Sequence, residues 1–221
     1  MNSLDTFRNL FPVFYNQIKN GHIQTKNKDH FGHGFDHDVT VAMLAVLIAP
    51  SVRLGHKAWC ASLLHSTDRV VTEKKVKETM ILYSQNLKHF FNDTEIKDII
   101  EAALRHSELN QDNQNDTQVV LMDADRLANM QSAVIIRGGQ FRHKIPALDL
   151  KYLNGDKNPL STYENPKTVL DNLRLIISQY IPQLRIKKAK VLGSVYSKKI
   201  KKYIESIERD YEKLGLAGVD L

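Results

Sequence analysis

The sequence predicts an all-α protein. Apolar residues recur at three- and four-residue spacing along most of the chain. No strict apolar–polar alternation persists, and no Asn-Gly or Asp-Gly pair joins two apolar runs as a hairpin turn. The 221 residues suit one domain with an extension, and 42% hydrophobic with 25% charged residues is ordinary for a soluble globular chain. Ten glycines and six prolines exclude collagen-like and low-complexity architectures.

Each element follows from its pattern. Leu4 to Lys19 reads as helix, interrupted near Pro12. Asn20 to Phe35 is rich in Gly, Asn, Lys and His and reads as loop. Asp36 to Ala49 is an apolar helix ended by Pro50, and Gly55 to Ser66 is another. Thr72 can cap a helix running to Phe90 or Phe91. Asp93 or Thr94 caps the next, predicted over Asp93–Leu109, in which Ile96, Ile99, Ile100, Ala103 and Leu104 form one apolar face. Asn110 to Asn115 is a polar loop, and Thr117 to Met130 is a strongly apolar helix that continues some way beyond. Gly138 to Pro159 is a long excursion. Asn165-Pro166 starts a helix that ends near Pro182. Leu184 to Leu214 is helical again, with a break at Gly193-Ser194.

Charge is unevenly placed. The chain carries +6 overall, yet Asn172 to Ile204 holds no acidic residue and nine basic ones, so the rest is slightly acidic. The basic segment is either a solvated helix face or a surface for phosphates. The longest apolar run, Val39 to Ala49, falls short of the roughly 20 residues that cross a bilayer. Cys60 is the single cysteine and excludes an internal disulfide. With no basic–apolar leader at Met1 to Asp5, a reducing cytoplasmic setting is expected.

The nine histidines divide by context. His22, His30, His56, His89 and His143 sit in loops or polar surroundings and read as surface residues. His37, by contrast, shares a helical face with Val41, Leu44 and Ile48. His65 follows Ala58, Ala61 and Ser62. Asp125 lies among Leu121, Met122 and Ala128. A buried carboxylate is costly unless paired. Imidazoles and a carboxylate converging from separate helices form a divalent-metal site, or else a satisfied His–Asp pair in the core.

The order and context of these residues resemble the HD-domain superfamily of metal-dependent phosphohydrolases. The resemblance runs from about Gly32 to Gly139. It rests on His33-Gly34-Phe35-Asp36-His37, on Leu63-Leu64-His65-Ser66, on Ala103-Leu104-Arg105-His106-Ser107 and on Leu121 to Ala128, with Asp123-Ala124-Asp125-Arg126-Leu127 as its most specific part. It implies an HD-domain-like helical bundle over about 32–139; the residue pattern adds a basic helical C-terminal extension over about 160–217. The resemblance also implies His37, His65 and Asp125 as metal ligands and His33 as an accessory residue. The His37-Asp38 dipeptide falls one helix too early to be the motif pair.

Two departures stand out. The Asp that follows the second His in the family is Ser66 here, which removes one ligand and one negative charge. Thr40 stands where Arg is frequent. Asp68, three residues after His65, is the candidate substitute carboxylate if the helix continues one more turn. The implied reaction is metal-assisted hydrolysis of a phosphoester, a nucleotide among the candidates. Mn, Mg, Ni, Co or Fe would serve as the metal, held weakly or not at all because of Ser66. Arg126 and Arg69 are candidate phosphate contacts, with surface ion pairing the alternative. His106 is either an outer or second-metal residue or a core His bonded to a carbonyl. Three function classes follow: a phosphohydrolase, a degenerate HD domain that binds a nucleotide or partner without hydrolysis, and a nucleic-acid-binding protein using the basic segment.

Overall fold

The computed structural model describes residues 3–25, 34–155 and 157–220. Among these, every regular element is helical. Contacts divide the chain into two compact units, Met1–Ala128 and Asn129–Leu221, where the sequence reading has one domain with an extension.

The first unit opens with α1 (Leu4–Leu10), whose Ser3 cap accepts a hydrogen bond from the Thr6 N–H at 3.3 Å. It continues with α2 (Pro12–Gln24), which has Pro12 in its first turn. The interruption expected at Pro12 is therefore a boundary between helices. Helix α2 outruns the expected Lys19 because its buried stripe, Tyr15 and Ile18, continues to His22. Then come α3 (Phe35–Ile48) and α4 (Val52–Leu64). Helix α4 starts before Gly55 because the Ser51 hydroxyl caps the Leu54 N–H at 3.3 Å.

The single helix expected from Thr72 is instead a short α5 (Thr67–Val70), a 3-10 turn at Glu73–Lys75, α6 (Val76–Ser84) and a second 3-10 turn at Gln85–Leu87. After that last turn Leu87 and Phe91 enter the core, where Phe91 stacks on Phe11 at 5.9 Å. Helix α7 (Asp93–Leu104) begins with a capping box of Asn92 and Glu95, one residue ahead of the expected cap. It stops short of Leu109. The freed Arg105 carbonyl accepts from the Gln118 amide at 2.9 Å. Helix α8 (Asp116–Ala128) closes the unit.

Helices α3 and α4 pack most extensively on each other and on α8, and α7 completes the bundle against α4 and α8. Trp59 of α4 is fully buried. Phe7 and Phe11 stack on it at 5.3 and 5.5 Å, which fastens α1 and α2 to the bundle.

The second unit holds α9 (Val134–Phe141), α10 (Val169–Gln183) and α11 (Lys187–Lys213). What reads in sequence as a continuation of α8 is thus the separate helix α9. Thr168, not Asn165, caps α10. The Val169 and Leu170 N–H groups bond to Pro146 and Ala147 of the long excursion, so the excursion sets where the helix starts. Helix α11 runs unbroken through Gly193-Ser194. Ala189, Gly193, Ser197, Ile200 and Ile204 form its buried stripe, so Gly193 is a position of close packing and not a break. Met130, Val134, Leu153, Leu170, Leu173, Ile176, Ile200 and Ile204 make the core of this unit. Arg174 of α10 ties to Asp171 at 3.3 Å and to Glu208 of α11 at 2.5 Å.

Candidate metal centre

Three elements bring the predicted ligands together. Helix α3 is apolar nearly all round, and its first turn carries His37 into the interior, 2% exposed. Helix α4 ends at Leu64, and His65 is its C-cap residue. Asp125 lies in the last turn of α8. One ligand atom from each of His37, His65 and Asp125 lies within 4.8 Å of the other two. The His37 Nε2 is 3.1 Å from the Asp125 Oδ1, and the His37 and His65 rings meet edge to face at 5.4 Å.

The tautomer of His65 is set by the backbone. Its Nδ1 lies 2.5 Å from the Ser62 carbonyl oxygen, so Nδ1–H donates there and Nε2 keeps its lone pair. His106 repeats this arrangement: its Nδ1 is 2.7 Å from the Ala103 carbonyl, and its ring packs on His65 at 5.0 Å. His106 thus bonds to a carbonyl, as one reading of it expects, and packs on His65 beside the ligand group without belonging to it.

Electrostatics favour ligand-ready forms. Burial pushes the His65 pKa down from 6.5, against the pull of Asp38 and Asp125, and keeps the imidazole neutral. For Asp125 burial acts upward, but the His37 hydrogen bond and the field of the His37, His65 and His106 imidazoles together outweigh it. They hold the carboxyl well below its usual range.

Other candidates fall elsewhere. Asp68 has a half-exposed side chain, with Oδ2 at 3.5 Å from the Arg69 Nε. It misses the cluster because α4 stops at Leu64 and α5 starts afresh at Thr67, so no continuous turn carries it over His65. Arg69 is taken up in that same surface pair. Arg126 is 7% exposed and lies 3.4 Å from the buried Asp123. Thr40 donates to the Asp36 carbonyl at 2.8 Å. His33 and His30 lie outside the described residues.

Sequence reasoning passed over two residues. Asp38 is wholly buried. Its Oδ1 accepts the Ser66 hydroxyl at 2.7 Å and lies 3.7 Å from the His65 Nδ1. The His22 Nε2 lies 3.0 Å from its Oδ2. The buried carboxylate beside Ser66 is therefore Asp38. His22, expected on the surface, has a side chain only 8% exposed. His56 is likewise part-covered, packed edge-on against Phe7 at 5.6 Å. His89 and His143 are exposed as expected. The signal for Asp38 was present: it shares a helical face with Val41, Ala42 and Ala45, all buried.

The described residues hold a group whose donors suit a cation. Two imidazoles and one carboxylate are the set that transition metals with open positions accept, and they suit Mg²⁺ less well.

Comparison with known proteins agrees with this architecture. Residues 34–130 match the HD domain family. A crystal structure from Lactobacillus plantarum superposes with a TM-score of 0.66 at 17% identity, over 90% of this chain and 97% of that one. Bacillus subtilis YpgQ, crystallised in complex with ADP, gives 0.58 at 16% identity, over 89% of this chain and 97% of that one. Selenomethionine YpgQ gives 0.59 at 16% identity, over 89% and 93%. No curated protein matches the sequence. At these identities the likeness is one of fold, and the fold is an HD-domain-type helical bundle. No described helix is long and apolar enough to cross a membrane.

Proposed function

We propose that the protein is a metal-dependent phosphohydrolase of the HD type that acts on the phosphates of a nucleotide. The observation that carries this reading is the convergence of His37, His65 and Asp125 from three separate helices within 4.8 Å. Residues that serve packing alone have no need to bring two imidazoles and a carboxylate to one point. The ADP bound by YpgQ, which shares the fold, supports a nucleotide as the substrate class.

In this reading His37, His65 and Asp125 hold the cation. A bound divalent cation supplies Lewis acidity toward a phosphoryl oxygen and a more acidic water. The protein's own part is orientation. The Ser62 carbonyl fixes His65 so that the lone pair falls on Nε2, beside the Ser66 hydroxyl at 3.3 Å, and the Ala103 carbonyl fixes His106 with Nε2 as the atom that would take or give a proton at the edge of the cluster. Asp125, kept ionised, offsets part of the cation's charge. Asp68 and Arg126, candidates from sequence, stand outside this scheme.

The test is release of phosphate or pyrophosphate from nucleoside di- and triphosphates with Mn²⁺, Co²⁺, Ni²⁺ or Mg²⁺. Turnover is expected with the first three ahead of Mg²⁺, and it should vanish in His37→Ala and Asp125→Ala. A second reading, a degenerate HD domain that binds a nucleotide without hydrolysis, draws support from Ser66, which stands where the family places a ligating Asp. Nucleotide binding without turnover under every metal would select it.

A further inference from the structure

Helix α3 delivers a second, wholly buried carboxylate to the edge of the metal cluster, from a direction the motif pattern does not anticipate. From this we propose that Asp38 is a positioning residue that supplies, through Ser66 and His65, the negative charge that the His65-Ser66 pair lacks. The proposal rests on the metal-centre reading above.

The argument begins with cost. A carboxylate with no exposure to solvent is strongly disfavoured unless cations or donors compensate it. Asp38 has one strong donor, the Ser66 hydroxyl at 2.7 Å, and one imidazole nearby, His22 at 3.0 Å from its second oxygen. Its third neighbour is the His65 Nδ1 at 3.7 Å. The His65 Nδ1–H is held by the Ser62 carbonyl, so Asp38 acts on the ring through its charge, which raises the basicity of the imidazole, and outer partners tune metal affinity. Asp38 does not reach the ligand cluster itself.

Charge gives the second strand. With Asp at position 66, this site would hold three carboxylates, at 38, 66 and 125. With Ser66 it holds two, Asp125 in the cluster and Asp38 outside it, tied to Ser66. Asp38 is thus the second carboxylate available to offset a divalent cation, buried on α3 and outside the ligand cluster. Ser66 is the right size for this arrangement, since its hydroxyl donates to Asp38 and its oxygen stays 3.3 Å from the His65 Nε2. A consequence is that Ser66→Asp alone sets two carboxylates in contact. The repair must therefore be made as a swap.

A purely structural His22–Asp38 tie between α2 and α3 predicts something different, and Mn²⁺ binding to the metal-free full-length protein separates the two. Isothermal titration and thermal midpoints are measured for wild type, His37→Ala, Asp38→Asn, His22→Gln, Ser66→Asp and the double variant Asp38→Ser/Ser66→Asp. Asp38→Asn is expected to weaken Mn²⁺ binding about 10- to 100-fold. The double variant is expected to recover most of that loss, and His22→Gln to leave affinity at or above wild type. Ser66→Asp is expected to melt below wild type without metal and to gain more from Mn²⁺ than wild type does. Should Asp38→Asn fail to fold, the double variant decides: wild-type affinity supports the proposal, and no binding overturns it. Uptake that His37→Ala abolishes but Asp38→Asn leaves unchanged overturns the role of Asp38 alone. No Mn²⁺ uptake by wild type, or uptake that His37→Ala leaves intact, removes the metal centre and the role of Asp38 with it.

Discussion

Protons compete with any cation for His65 and Asp125, so acid should act on this centre in two stages. Burial holds the His65 pKa below 6.5 in the folded protein, so the unfolded chain takes up its proton first. Its contribution to stability is complete above about pH 6.5 and is lost as pH falls through the lower folded value. Asp125 follows the same sign at lower pH. Its carboxyl sits below 3.8 when folded, so its contribution is present above that pH and is lost further into acid. Denaturant titrations of the metal-free protein between pH 7.5 and 5 should therefore show stability falling from about pH 6.5 downward. His65→Gln should flatten that slope without abolishing it, because burial and Arg53 lower the His56 pKa too. A slope unchanged in His65→Gln would mean that His65 takes up its proton as readily folded as unfolded, against the effect of burial.

Helix ends and helix glycines are where the elements part from expectation, and the same facts yield a paired test. Gly55 lies in the first turns of α4, and a Cβ there would meet the Ala49 Cβ at 3.5 Å and the Val46 Cα at 3.7 Å, both ordinary contacts. Gly21 lies in the last turn of α2, where a Cβ would sit 3.1 Å from both the Tyr83 Oη and the Val70 Cγ1. Alanine is favoured over glycine in a helix by about 0.5–1 kcal/mol. Gly55→Ala should realise that gain as a raised thermal midpoint. Gly21→Ala should lose it to crowding and melt at or below wild type. Equal gains in the two variants would show that α2 is free to shift off α6, contrary to the packing seen at Gly21. The caps tell the same story: Ser51, Asn92 and Thr168 set the true starts of α4, α7 and α10 because each side chain accepts a backbone N–H that would otherwise lack a partner.

On the scale of the molecule, the whole candidate site belongs to the first unit. His22, His37, Asp38, His65, Ser66, His106 and Asp125 all lie within Met1–Ala128, as does the aromatic cluster around Trp59. Expressed alone, residues 1–128 should give a helical circular dichroism spectrum and bind Mn²⁺ with the affinity of the full chain. An unfolded fragment would show that the second unit is needed to complete the first. The basic segment lies in the second unit. On α11, Lys187, Lys188, Lys190, Lys198, Lys199, Lys201 and Lys202 are all exposed, which is what a solvated face and a phosphate-binding face both require.

The helical class, the order of the helices and the convergence of His37, His65 and Asp125 were legible in the sequence. Periodicity at 3.6 residues marks a helix wherever it sits, and an ionisable group on an apolar face stands out against its neighbours. Asp38 shares a face with Val41, Ala42 and Ala45 in the sequence, but what it meets was not legible. Helix α3 is apolar nearly all round, so its pattern names no inner face, and only packing against α4 and α8 decides that Asp38 meets Ser66 while His37 meets Asp125. His22 was lost with the end of α2, which is fixed by burial of the Tyr15–Ile18 stripe and not by any local stop signal. Asp68 misled for the converse reason: spacing carries a side chain onto a face only while the helix lasts, and α4 ends before it. The chain alone thus determined which groups are out of place in an apolar pattern; the tertiary structure determined which of them meet, because contact between helices depends on rotation and on where each one stops.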